Sequence, residues 1–180
     1  MAENNHITDH TKNINNLIHQ INNRTIVKGD IIALERKEAG KNFGMRDVKI
    51  LSQMIDSNLQ KKIPSEIKSS AIYDDARLYK VANGLGIRVV GIEGSKLFNN
   101  RKSENQQLYN EERENIMSKN LSDLQRDNPS SRITALIGSG HSAGMQNKID
   151  NLVSLSAQTP NSATTAISAR SVLDAAQIGR

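Results

Sequence analysis

The sequence predicts an α/β fold, a mainly parallel sheet with helices on both faces. Three observations carry that prediction. Short continuous apolar runs recur at residues 29–35 (GDIIALE), 87–93 (IRVVGIE) and 132–138 (RITALIG). Runs of that length without polar alternation suit strands buried on both faces, as in a parallel sheet. The stretches between them carry apolar residues at helical spacing, and strands alternating with helices form crossover units with parallel pairing. Right-handed crossovers then distribute the helices over both faces.

Each element has its own signal. Ile14, Leu17, Ile18 and Ile21 repeat at i, i+3, i+4 and i+7, which predicts a first helix over 9–22 capped by Asp9 or Thr11. The first strand follows at 29–35. Val48, Leu51, Ile55 and Leu59 share one face of a helix predicted over 45–62, and Pro64 closes it. Pro64 also suits the first turn of the next helix, which runs to about Asn83 on Ile67, Ala71, Ile72, Leu78, Val81 and Ala82. Gly84 or Gly86 stops it ahead of the second strand. Residues 94–107 are polar and read as a surface loop. A helix over 108–126 clusters Ile116, Met117, Leu121 and Leu124, and the third strand then runs into a loop at 138–144 (GSGHSAG). Residues 152–155 read as a short fourth strand, and 164–177 as a helix on Ala166, Ala169, Val172, Leu173 and Ala176. With no repeat and no linker, residues 1–180 are expected to form one domain, with 157–180 a weakly ordered or helical tail rich in Ser, Ala and Thr.

The composition excludes several classes of function. Apolar residues are 36% of the chain and aromatics 3%, so the core must be built of Ile, Leu, Val, Ala and Met. The formal net charge of +5 favours anionic partners weakly, but no run of five bases occurs and few aromatics could stack on bases, which argues against nucleic acid. Without cysteine there is no disulfide, thiol nucleophile or thiolate metal ligand. No stretch is long and apolar enough to span a membrane, and the first ten residues lack the apolar region of a signal peptide. The expectation is a cytoplasmic protein, or one secreted without a cleaved signal.

The chemistry points to the strand ends. The first two predicted strands end at Glu35 and Glu93, and the third runs into the loop holding His141. Ligands of open α/β sheets bind outside the carboxyl ends of the strands, so the three residues are expected to converge there. Carboxylates beside an imidazole can do acid–base work or hold a metal ion. Against this, strands often end in polar residues simply because the chain is leaving the core. Glu3-Asn4-Asn5-His6 precedes the predicted first helix and lacks the second histidine of a His-Glu-x-x-His zinc motif. His10 and His19 read as surface residues. Arg113 could clamp an anion, but Glu111, Glu112 and Glu114 around it suggest a solvated helix face when spacing alone is considered. Gly138-Ser139-Gly140 lacks the Lys-Ser/Thr ending of a phosphate-binding loop, and its glycines read as letting the chain turn so that His141 points inward. Ser139 and Ser142 are candidate nucleophiles without the Gly-x-Ser-x-Gly setting.

In order, these pieces resemble the superfamily of erythromycin esterase-like enzymes, ChaN haem-binding lipoproteins and TraB/Tiki proteases, which has related domains in large bacterial toxins. The resemblance spans roughly residues 3–156. It rests on Glu3-Asn4-Asn5-His6, the strand ending at Glu35, Gly86 to Glu93, Arg113 to Met117, and Gly138 to Gly144. Met1-Ala2 stand where the family has a glycine before the glutamate, and the family's first strand has no counterpart, so a domain truncated at its N-terminus is expected. The resemblance implies a hydrolase-like domain of toxin or effector type, acting on an ester or a peptide. In it His6 would be the general base on water, with Glu3 and Glu35 orienting it or binding a divalent metal. His141 would be a second acid–base group or metal ligand, and Arg113 and Glu93 would hold substrate or stabilise charge. One alternative is a haem- or metal-binding module without turnover, with Tyr73, Tyr79 or a histidine as ligand. Another is an inactive toxin fragment acting through protein contacts, or as a homodimer paired through an exposed sheet edge.

Overall fold

The computed structural model describes residues 2–37, 44–55, 57–94, 106–138, 140–141 and 143–149; the side chains of 2–8, 37, 58 and 106 lie outside that description. Three parallel strands, β1 (Ile31–Lys37), β2 (Arg88–Glu93) and β3 (Ile133–Leu136), form a sheet in the order β2-β1-β3. The predicted α/β class and parallel sheet are therefore observed.

Helices cover both faces. The chain leaves β1 through α2 (Met45–Met54), a short 3-10 turn (Asn58–Lys62), α3 (Ser65–Lys68) and α4 (Ala71–Gly84). Together with α1 (Ala2–Asn22), α2 and α4 pack on one face, where Ile32, Leu34, Val89 and Leu136 meet Ile14, Leu17, Val48 and Leu78. The return from β2 to β3 runs through α5 (Gln106–Asp127) on the other face, where Ile31, Ala33, Ile92 and Ile133 meet Met117 and Leu121. Residues 143–149 are helical and close that second cluster with Met145 and Ile149. Alternation along β1 thus sends 31 and 33 to one side and 32 and 34 to the other, as the pleat requires.

Several element boundaries differ from the sequence reading, each for a local reason. The first helix begins at Ala2 rather than Asp9, because no glycine or proline interrupts the residues before it. Glu3 and His6 therefore lie within α1 and not ahead of it. The helix predicted over 45–62 stops at Met54: Ser57 is extended, and its Oγ accepts a hydrogen bond from the Leu59 amide to start a 3-10 turn. The next predicted helix splits at Ser69 and Ser70, whose hydroxyls bond back to the carbonyls of Ser65, Glu66 and Ile67. The expected loop over 138–144 is already helical at 140 and 141. The predicted strand at 152–155 and helix at 164–177, like the tail, lie outside the described residues.

One irregularity positions the site. Leu34 pairs with Gly91 and Lys37 with Glu93, so β1 carries one residue more than β2 over this interval. Such a bulge bends a strand and re-aims its side chains, and this one falls on Glu35 and Arg36.

Candidate active site

Glu35 ends the α5-facing alternation of β1, Glu93 closes β2, and His141 follows β3, so the order β2-β1-β3 places all three at one end of the sheet. Arg113, two turns into α5, joins them. Its Nε donates to Glu93 Oε1 at 3.0 Å, its Nη2 reaches Glu93 Oε1 at 2.8 Å and also donates to Glu35 Oε1. Its Nη1 lies 3.0 Å from His141 Nε2. The solvated face that spacing suggests for Arg113 is corrected: its side chain is 17% exposed and it is the hub of the cluster. The Tyr109 ring sits 5.8 Å from the guanidinium carbon, one turn earlier on α5. Burial raises the Tyr109 hydroxyl above its ordinary value, which Arg113 opposes and Glu93 reinforces.

The hydrogen-bond pattern fixes the state of His141. A guanidinium has only donors, so Nε2 must present its lone pair to Arg113. The ring proton then sits on Nδ1, which donates to Glu114 Oε1 at 3.2 Å. Glu114 is buried, and Lys148 Nζ lies 3.6 Å from its other oxygen. Sequence reasoning placed Glu114 on a solvated face. The missed signal is its position three residues before Met117 and seven before Leu121, where an acid continues an apolar stripe.

Gly138 and Gly144, on either side of His141, act through close approach and not through a left-handed turn, whereas a Cβ on Gly140 would meet nothing within 4 Å. The Gly138 amide donates to Glu35 Oε2 at 2.6 Å, and a Cβ on Gly138 would stand 3.1 Å from that oxygen. A Cβ on Gly144 would stand 2.0 Å from Glu114 Oε2. Neither is among the described glycines with positive φ, which are Gly29 and Gly86.

Ser139 and Ser142 lie outside the described residues, as do the side chains of Glu3 and His6. Glu35 and His141 are half of the expected metal set; His141 Nε2 lies 3.9 Å from Glu35 Oε1, with Arg113 bonded to both. A guanidinium already supplies the positive charge there, and among the described residues no group of three or more His, Asp or Glu could hold a metal ion. Tyr73 and Tyr79, candidate ligands in the haem-binding alternative, pack against the core on the opposite face. His19 is exposed as expected, but His10 is not a free surface residue: its Nε2 lies 2.9 Å from Oδ1 of the buried Asp75. A separate apolar groove of about 300 Å³ between α2, α3 and α4 has Asp47 as the one ionisable residue among the described residues that line it.

No family model matches the chain, and no curated protein or solved structure matches it either. No helix among the described residues is long and apolar enough to cross a membrane.

Proposed function

We propose that Glu35, Glu93, Arg113, Glu114 and His141 form a hydrolytic acid–base site acting on an ester or peptide bond. The observation that carries this reading is the imidazole of His141, held by a buried carboxylate through Nδ1 so that Nε2 is the basic nitrogen, 3.0 Å from a guanidinium nitrogen. That arrangement pairs a general base with a stabiliser of negative charge. The likeness of the motif order to the esterase-like and protease superfamily supports the same chemistry.

In this scheme a substrate carbonyl takes the Nη1 hydrogen of Arg113 and so releases Nε2. The oxygen of a water attacks the carbonyl carbon while its proton passes to Nε2, and Arg113 stabilises the oxyanion. Collapse breaks the bond to the leaving group, which takes the proton back from Nε2. Glu114 keeps the ring oriented and offsets the imidazolium charge, while Glu35 and Glu93 hold the guanidinium in place. A domain of this type fits a toxin or effector that acts on a host ester or peptide.

The test is a panel of aryl esters and fluorogenic peptides, with far-UV circular dichroism to confirm folding. His141→Gln is expected to lower kcat/KM by roughly 10²–10⁴-fold. Turnover untouched by His141→Gln, or no turnover of any ester or peptide by the unmodified chain, would remove this reading.

A further inference from the structure

The apolar groove between α2, α3 and α4 lies on the face of the sheet opposite α5, and hydrolysis has no use for it. Its lining comes from Ile50, Leu51 and Met54 of α2, from Ile63 and Ile67 on the segment that returns through α3, and from Ile72 of α4. Ile50 is 47% exposed, and Leu59 on the adjoining 3-10 turn is 42% exposed. Single exposed aliphatics are ordinary, but contiguous apolar surface left in water marks an interaction site.

The lining argues against a small polar ligand. Small-molecule sites set a few convergent polar groups in a cavity of about 300–1,000 Å³. Asp47 is the one polar side chain among the described residues of this lining, and its Oδ2 already accepts from the Gly44 amide at 3.1 Å. What the groove can receive is an apolar face, such as an amphipathic helix presents at i, i+3, i+4 and i+7. The rim adds charge. Arg46, Lys62 and Lys68 are each the chain neighbour of a lining residue, Lys61 precedes Lys62, and all four are exposed. Glu66 is the one exposed acid described on the same stretch. The acids of α4 do not offset the rim, because Asp74 and Asp75 are buried and bonded to Thr11, Arg77, His10 and Arg36. A second copy would bring the same basic rim to a two-fold contact, where like charges oppose each other.

We infer that this groove binds an acidic amphipathic helix of a protein partner. The apolar residues of that helix enter the groove, and its carboxylates meet Arg46, Lys61, Lys62 and Lys68. Burial of the aliphatic side chains supplies affinity, while the rim steers the encounter and selects against basic helices. The inference is independent of the proposed hydrolysis.

The probe is a fluorescein-labelled peptide of about 18 residues, long enough to be helical alone. It carries leucine at i, i+3, i+4 and i+7, with glutamate and alanine elsewhere. Binding to the full chain is followed by fluorescence anisotropy and should be saturable. Ile50→Glu, at a position already in water, should keep the far-UV spectrum and weaken binding roughly tenfold or more. Lys61→Glu with Lys62→Glu should also weaken it and flatten its dependence on salt. A peptide with lysine in place of glutamate should bind roughly tenfold more weakly or worse. His141→Gln should leave binding unchanged. Absence of saturable binding, equal affinity for the basic peptide, or full affinity in Ile50→Glu would each overturn the inference. Two further outcomes would assign the groove elsewhere and overturn it as well. One is a dimer in sedimentation that Ile50→Glu dissociates, which gives the groove to a second copy. The other is binding to phosphatidylglycerol vesicles that Ile50→Glu abolishes, without peptide binding. None of these readouts depends on turnover, so failure here leaves the hydrolytic reading standing.

Discussion

At the scale of single residues, the cluster depends on what is missing from two side chains. Glu114 occupies space that a Cβ on Gly144 would need, so Gly144→Ala must displace the carboxylate that orients His141. The expected result is a loss of any hydrolytic activity approaching that of His141→Gln, with the far-UV spectrum unchanged. Glu114→Gln removes the charge but keeps the shape, and it should reduce kcat more than KM, because the carboxylate matters most when the imidazole is protonated. Tyr109 gives a purely physical check. Its ionisation, followed by absorbance near 295 nm, should lie above the ordinary tyrosine value of about 10. The sign follows from its raised folded-state value: the contribution to stability is present below the unfolded value and is lost as pH climbs through the folded one.

At the scale of elements, α5 joins the core to the site. Met117 is fully buried against the sheet, and its neighbour Ser118 donates to Met145 Sδ at 3.2 Å, tying α5 to residues 143–149. Met117→Ala should cost about 2–5 kcal/mol in denaturant unfolding, the range for a large buried side chain cut to Ala. On the other face, Asp75 bonds to α1 through His10 and to β1 through Arg36, while its neighbour Asp74 accepts from Thr11 Oγ1 at 2.6 Å. Asp75→Ala should cost about 3–5 kcal/mol, because it leaves the partners of a buried ion pair uncompensated. Arg36 follows Glu35 within the bulge of β1, so the same bulge feeds an ionic cluster on each face.

At the scale of the molecule, the two core clusters lie on opposite faces of one sheet and share no residue. The destabilisations of Leu17→Ala and Met117→Ala should therefore add to within about 0.5 kcal/mol when combined. A larger discrepancy in a double-mutant cycle would show that the sheet transmits strain between its faces. The strand order makes β1 central, with crossovers on opposite faces on its two sides. The cluster sits at the carboxyl ends of these strands, the end at which open α/β sheets bind their ligands.

The sequence by itself determined the class of fold, because apolar runs of strand length alternate with helical periodicity and only a parallel sheet covered on both faces buries both. It also determined that Glu35, Glu93 and His141 leave the sheet at its carboxyl ends, since strand direction follows from crossover connections. Only the tertiary structure decided that Arg113 binds all three, that Glu114 is buried behind His141, and that His10 is anchored by Asp75. Those contacts join residues 20 to 78 positions apart, or depend on which face of a helix meets the sheet. Local spacing carries no information about such distances. A charged residue in an apolar stripe is read as solvated until the neighbour that compensates its charge is known.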